Sequence, residues 1–292
     1  MTGTFGFIRF MDIKQQLEIA QQILADTPLP AMPTEVLELQ ALFASTEFPD
    51  FGEVARIIGR NTVLSGELLK LANDPRFVGK RAQPVQNIRA AVDRLGSTQL
   101  QNLVVGLAFK SVVKNMAFET LIEHSFDVAR VACELSTYIV EVRPDKAYLA
   151  GLFHNSGAIM LASRFAKYEK IFFNTLTNYY SGVHKEELIF RVNHGVFGLL
   201  VAKKWNLDAD ICQLVMMHHQ KDLHSIENDK VRLLVALIQL ANGIVSEVSF
   251  GSYIGTEIKE MMMNAQEVLM IESSVINEVR KSVIINSLIA QI

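Results

Sequence analysis

Five histidines are placed where imidazoles could do chemistry: His124, His154, His194, His218 and His219. His154 lies in the run LAGLFHNSGAIML, residues 149–161, in which only His154, Asn155 and Ser156 are neither apolar nor small. An apolar pattern on every face marks a helix surrounded by protein. A buried imidazole beside a buried amide must find partners, since unpaired polar groups there cost roughly 1–3 kcal/mol each. His124 is spaced with Val128, Val131 and Leu135, and His218 follows Ile211, Leu214 and Val215. Asn242 interrupts the inward series Val231, Val235, Ile238, Val245. Imidazoles so placed could ligate a metal ion, or each could be a core side chain bonded to a backbone carbonyl. His184 and His224, beside Lys185 and near Asp222, read as solvated surface residues.

Helices must carry these residues, because the periodicity from Asp12 onward is helical almost without relief. Ile13, Leu17, Ala20 and Leu24 form one apolar stripe behind an Asp12 cap, and Pro28, Pro30 and Pro33 end it. Thr34 is expected to cap residues 36–44, and Asp50 with Glu53 to form a capping box for 54–59. A fourth helix is expected over 62–72, ended by Asn73-Asp74-Pro75. Asn87 should cap 88–95, Gly96 close that helix and Ser97 open 100–113. Further helical patterns fall near 118–140, 165–180, 185–192, 195–205, 208–218, 230–248 and in the last forty residues. No apolar/polar alternation is bounded by hairpin turns, so no strand is expected. The fold class is all-α, in two helical lobes: an N-terminal bundle over 12–112 and a C-terminal helical core over 113–292. Residues 1–11 are unpatterned and are given no role.

The chain has 292 residues, half of them apolar and a fifth charged, enough to bury a sizeable core. A net charge of −3 without a Lys/Arg run gives no reason to expect nucleic acid. The longest apolar run, near 233–245, is broken by Gln239 and Asn242 and falls short of the roughly 20 residues that span a bilayer. No membrane span and no signal peptide are expected. Cys133 and Cys212 sit in apolar helical patterns and read as buried thiols in a reducing cytoplasm. Phosphate-cradling Gly-rich loops and the Gly-x-Ser-x-Gly elbow are absent from the sequence. Phe172-Phe173 and Tyr179-Tyr180 read as core, and Met261-Met262-Met263 as helix padding.

Several segments resemble the signatures of one family. LPAMPTEVLEL resembles its Leu-Pro-x-Leu-Pro helix entry. IIGRNTVLSGELLKLAND resembles its Ile-x-x-Asp-Pro-x-Leu…Leu-x-x-Ala-Asn signature, with Asn61-Thr62 where Asp-Pro is usual. PVQNIRAAVDRLGSTQLQNLV resembles its Ser-Ile-x-x-Ala-(hydrophobic)-x-x-Leu-Gly run. With the histidines, these make about residues 24–220 resemble the HDOD domain, a branch of the HD superfamily of metal-dependent phosphohydrolases.

That resemblance implies a site. The His, His-Asp pair and distant Asp of HD enzymes correspond here to His124, His154-Asn155 and Asn242. The additional histidines of binuclear members correspond to His194 and His218-His219. Both acidic positions are amides, Gly157-Ala158 stands where Gly-Lys is common, and Gln220 follows the histidine pair where Glu is frequent. Mg²⁺ and Mn²⁺ want anionic oxygen ligands, and hydrolysis needs an acidified water or a carboxylate base. Removing two negative charges from a buried dication site costs several kcal/mol even at an effective dielectric of about 20. The expectation is therefore lost catalysis and no required cofactor, with room for a residual Zn²⁺, Ni²⁺ or Fe²⁺ at the histidines. The resemblance implies a bacterial, cytoplasmic, non-enzymatic output or adaptor module of signal transduction that meets a signalling protein in trans. Two rivals stay open: a residual phosphohydrolase acting on a nucleotide or cyclic dinucleotide, and a nucleotide sensor without hydrolysis.

Overall fold

The computed structural model describes residues 12–26 and 29–289, and all their regular structure is helical. The expected unpatterned segment 1–11 lies outside the described residues. In the first part of the chain come α1 (Ile13–Asp26), α2 (Thr34–Ser45), α3 (Phe51–Gly59), α4 (Thr62–Leu71), α5 (Pro75–Val78) and α6 (Ile88–Val113). Next come α7 (Glu119–Ser136), α8 (Pro144–Phe153), α9 (Ser156–Arg164), α10 (Tyr168–Thr177) and α11 (Tyr179–Phe190). The chain continues through α12 (His194–Lys204), α13 (Ala209–Met217), α14 (Asp229–Phe250), α15 (Thr256–Leu269) and α16 (Ser273–Ile289).

Helices α2, α3 and α4 pack on α6, which packs in turn on α8, whereas α1 crosses to α12. Phe109 of α6 stacks on Phe153 of α8 at 3.9 Å, and Trp205 meets both rings edge-on. This aromatic knot, worth about 1 kcal/mol per pair beyond area burial, fixes the end of α8 where His154 emerges. Helix α14 lies against α7, α8, α13, α15 and α16. By length and composition α14 could cross a membrane, but 72% of its most apolar window is buried, as in a core helix.

Several local expectations hold. Asn61 accepts from Leu64 N at 3.0 Å and Asn87 from Ala90 N at 2.9 Å, each satisfying an orphan N–H of its helix. Asn61 thus performs the capping task an aspartate would perform there. Gly96 (φ 69°) bends α6, a left-handed conformation that glycine adopts without steric cost. Asn73 bonds both backbone groups of Val85, at 2.9 and 2.8 Å, pinning the loop before α6. Cys133 and Cys212 are buried free thiols.

Others are corrected. Thr34 is the first residue of α2, and Pro33 takes the cap position without a side-chain bond. Asp50 caps α3 through Gly52 N at 2.7 Å, but Glu53 turns to Arg56 at 2.6 Å instead of closing a box. An exposed guanidinium one turn on competes successfully for that carboxylate. The central run 149–161 is two helices: α8 stops at Phe153 and α9 starts at Ser156, with Asn155 (φ −99°, ψ 13°) between them.

Candidate metal centre

The break between α8 and α9 is where the site begins. Two glycines beside it have no room for a side chain. A Cβ on Gly151 would lie 2.3 Å from Ala129 Cα of α7, and one on Gly157 would lie 2.0 Å from His194 O of α12. Both approaches are backbone to backbone, so α7 and α12 come as close to the junction as packing permits. They bring His124 and His194 to His154, whose Nδ1 is anchored on Gly151 O at 2.7 Å.

His194 is the first residue of α12, behind an Asn193 cap. Its Nδ1 faces both carboxylate oxygens of Glu186, at 2.9 and 2.8 Å, and its backbone N–H donates to Oε2 at 2.8 Å. Tyr168 OH donates to the same carboxylate at 2.8 Å. His218, at the end of α13, rests its Nδ1 on Val215 O at 2.8 Å. Its carbonyl accepts from Tyr179 OH and from Gln239 Nε2, each at 2.9 Å. His219 lies under the Tyr179 ring, centroids 4.0 Å apart. The Nε2 atoms of His218 and His219 then approach His194 Nε2 at 3.0 and 2.9 Å.

His124 and Asn242 lie beside this group. The His124 ring is 6.1 Å from that of His154, and its Nε2 is buried without a partner. Burial lowers its pKa to about 4, against the smaller opposing influence of the nearby Asn242 amide. Burial likewise lowers His154 to about 3, helped by the neighbouring His124. His218 and His219 are pushed well below the ordinary histidine value by burial and then by the other imidazoles. Neutral imidazole is the form that binds metal. Asn155 is buried at the junction and makes no capping bond to α9.

Of the seven residues singled out in the sequence, His154 and His218 close α8 and α13, His194 opens α12, Asn155 lies between α8 and α9, His219 follows His218, and His124 and Asn242 lie within α7 and α14. Among the described residues, donor atoms of His194, His218 and His219 lie within 4.8 Å of one another, a group that could hold a metal ion. The simple alternative also holds in part, because His154 and His218 each spend one nitrogen on a carbonyl three residues back. His184 and His224 are exposed, as expected.

Four residues were missed. Glu186, Tyr168 and Gln239 are buried partners of the cluster, and Tyr179 was read as core only. Glu186 sits in Lys185-Glu186-Glu187, a charged run that looks solvated, yet it continues the inward series Tyr179, Gly182, Val183 on α11. That spacing was the available signal.

A helical core in which imidazoles from successive helices meet at a helix break defines the HD-like class of all-α proteins. The model of the HDOD domain matches residues 29–221, and the chain belongs to that family. A curated relative from Treponema pallidum (strain Nichols), called an uncharacterized protein, is 25% identical over 245 residues, 80% of this chain and 46% of the relative. The chain therefore spans about half the length of the curated relative it matches. An HDOD domain protein of unknown function from Geobacter sulfurreducens superposes with a TM-score of 0.65 at 23% identity, covering 93% of this chain and 98% of that one. A provisionally named metal-dependent phosphohydrolase from Shewanella amazonensis SB2B gives 0.66 at 20% identity, covering 93% and 99%. A provisionally named signal transduction protein from Marinobacter aquaeolei VT8 gives 0.67 at 15%, covering 98% and 66%. At these identities the structural likenesses establish the fold.

Proposed function

We propose that this chain is a non-catalytic HDOD signalling module that acts by contact with another protein, its HD-type site surviving as a buried imidazole cluster. One observation carries the reading: Asn155 and Asn242 are buried beside His154 and His124, where a hard dication would require carboxylates. An amide oxygen can coordinate, but it adds no charge and cannot serve as a general base. His154, His194 and His218 are also fully buried, so a phosphoester would have to displace protein to reach them. The decisive assay offers generic phosphoesters, nucleotides and cyclic dinucleotides with Mg²⁺, Mn²⁺, Fe²⁺, Ni²⁺ and Zn²⁺ in turn. No turnover is expected; turnover abolished by His154→Ala would overturn the reading in favour of a residual phosphohydrolase.

The residues present fit a borderline divalent ion. His194, His218 and His219 offer neutral nitrogen donors, and His154 Nε2 is buried nearby without a partner. Such an ion, when bound, supplies a Lewis-acidic positive charge that ties α12 to α13. The chain's own contribution is orientation: Gly151 O, Val215 O and Glu186 each hold one ring nitrogen of His154, His218 and His194.

A second reading, the nucleotide sensor, draws support from a pocket of about 280 Å³ between α2, α6 and α8. Gln40, Asn102 and Asp208 line it together with Phe43 and Leu149. Among the described residues no lysine or arginine lines it, so it suits a base better than a phosphate. Thermal-shift screening with nucleosides and nucleotides tests this, because a ligand bound only by the folded state raises Tm.

A further inference from the structure

The partners of the imidazoles fix their tautomers. His154 donates from Nδ1 to Gly151 O and His218 from Nδ1 to Val215 O, which leaves both Nε2 atoms as bare lone pairs. The Glu186 carboxylate takes the Nδ1–H of His194, so His194 Nε2 is bare as well. Yet His194 Nε2 and His218 Nε2 are 3.0 Å apart. Two lone pairs at that distance repel unless a cation lies against both. His219 can relieve one contact by donating Nε2–H to His194 at 2.9 Å, but its own buried Nδ1 is then a bare lone pair beside the Tyr179 backbone acceptor, which favours the opposite tautomer. The His218 contact is not relieved.

The charge of Glu186 points the same way. Its carboxylate is fully buried, and its ion-pair partner is the His194 imidazole, which is charged only when protonated. A carboxylate so enclosed needs positive charge close by. A cation on the far side of His194 supplies it through the ring, and the carboxylate in return raises the basicity of the bare nitrogen.

We infer that Glu186 is the counter-charge and positioning residue of a borderline-metal site formed by His194, His218 and His219, an assignment that rests on the residual-ion reading above. It places negative charge behind a ligand instead of on the ion, replacing by another route what Asn155 and Asn242 lack. An all-nitrogen donor set selects Zn²⁺, Ni²⁺ and Co²⁺ over Mg²⁺ and Mn²⁺. The competing occupant is a proton on His194, which would make a buried imidazolium–carboxylate pair with no metal.

The test uses the full chain freed of any polyhistidine tag, stripped with chelator and titrated separately with Co²⁺, Ni²⁺, Zn²⁺, Mn²⁺ and Mg²⁺. The readouts are the visible absorption of bound Co²⁺ and the melting temperature. Wild type is expected to develop a Co²⁺ band and to melt higher with Co²⁺, Ni²⁺ or Zn²⁺, but not with Mn²⁺ or Mg²⁺. Glu186→Gln, which keeps the shape and removes the charge, should bind Co²⁺ about 10- to 100-fold more weakly while keeping a native circular dichroism spectrum. Tyr168→Phe removes one bond to the carboxylate, and a smaller loss in the same direction is expected; it decides the matter if Glu186→Gln does not fold. Unchanged Co²⁺ affinity in the folded variant overturns the role of Glu186 and leaves the metal reading standing. Wild type that binds none of Co²⁺, Ni²⁺ and Zn²⁺ overturns the site itself in favour of the proton.

Discussion

The two ends of the imidazole cluster have the same donors and opposite surroundings. At one end His124 and His154 face Asn242 and Asn155, neutral groups that cannot compensate a cation. At the other, His194, His218 and His219 converge with a fully buried carboxylate behind them. Burial alone makes an imidazole neutral; whether it then holds an ion depends on where the nearest negative charge sits. A pattern of histidines is thus an incomplete description of a site until its outer partners are known.

The strongest way to break the contrast is acid. His124 and His154 have native pKa values of about 4 and about 3, below the unfolded value near 6.5. The unfolded chain therefore binds protons first as pH falls, and stability is lost from about pH 6.5 down to about 4 for His124 and about 3 for His154. In metal-free protein the loss should reach about 3 kcal/mol per group by pH 4, read from urea midpoints along a pH series. Restoring both acids, Asn155→Asp with Asn242→Asp, sharpens the contrast from the other side. Metal-free stability should drop on the order of 4 kcal/mol from two buried like charges and recover on adding Mn²⁺, which leaves wild type unchanged. A double variant as stable as wild type without metal would mean that this end already tolerates charge.

Gly157→Ala attacks the geometry that joins the two ends, since the new Cβ would fall 2.0 Å from His194 O and 2.5 Å from Gly198 N. A loss of about 3 kcal/mol is expected, with weaker Co²⁺ binding in whatever remains folded. Tyr179→Phe is the mildest change. Losing the bond to His218 O at 2.9 Å should cost about 1 kcal/mol in urea unfolding, and the same hydroxyl also reaches Asn242, so a smaller effect extends to the His124 end.

Much of this was legible in the sequence, and the omissions have physical causes. Helical periodicity gave the fold class, and caps such as Asn61 and Asn87 work as their residue types require. Of the seven positions, His194, His218 and His219 come within 4.8 Å of one another, and His154 stands beside His124 and His218. The break at Asn155 was hidden because every residue around it is buried, so no change of hydrophobic phase marked the end of α8. Glu186 was hidden for the opposite reason: a carboxylate between Lys185 and Glu187 looks solvated, and only the helical phase of α11 turns it inward. Thr34 misled because a hydroxyl can cap or simply begin a helix, and Pro33 already fixes the entry.

The recognisable family region ends at residue 221, but the structure that completes the cluster does not. Gln239 and Asn242 come from α14, and Glu257 of α15 accepts the backbone N–H groups of Tyr180 and Ser181 at the start of the helix that presents Glu186. A shortened version cut at the similarity boundary would lose that clasp along with its flanking helices. A change in α14 or α15, outside the matched span, therefore has a direct mechanical route to the imidazole cluster.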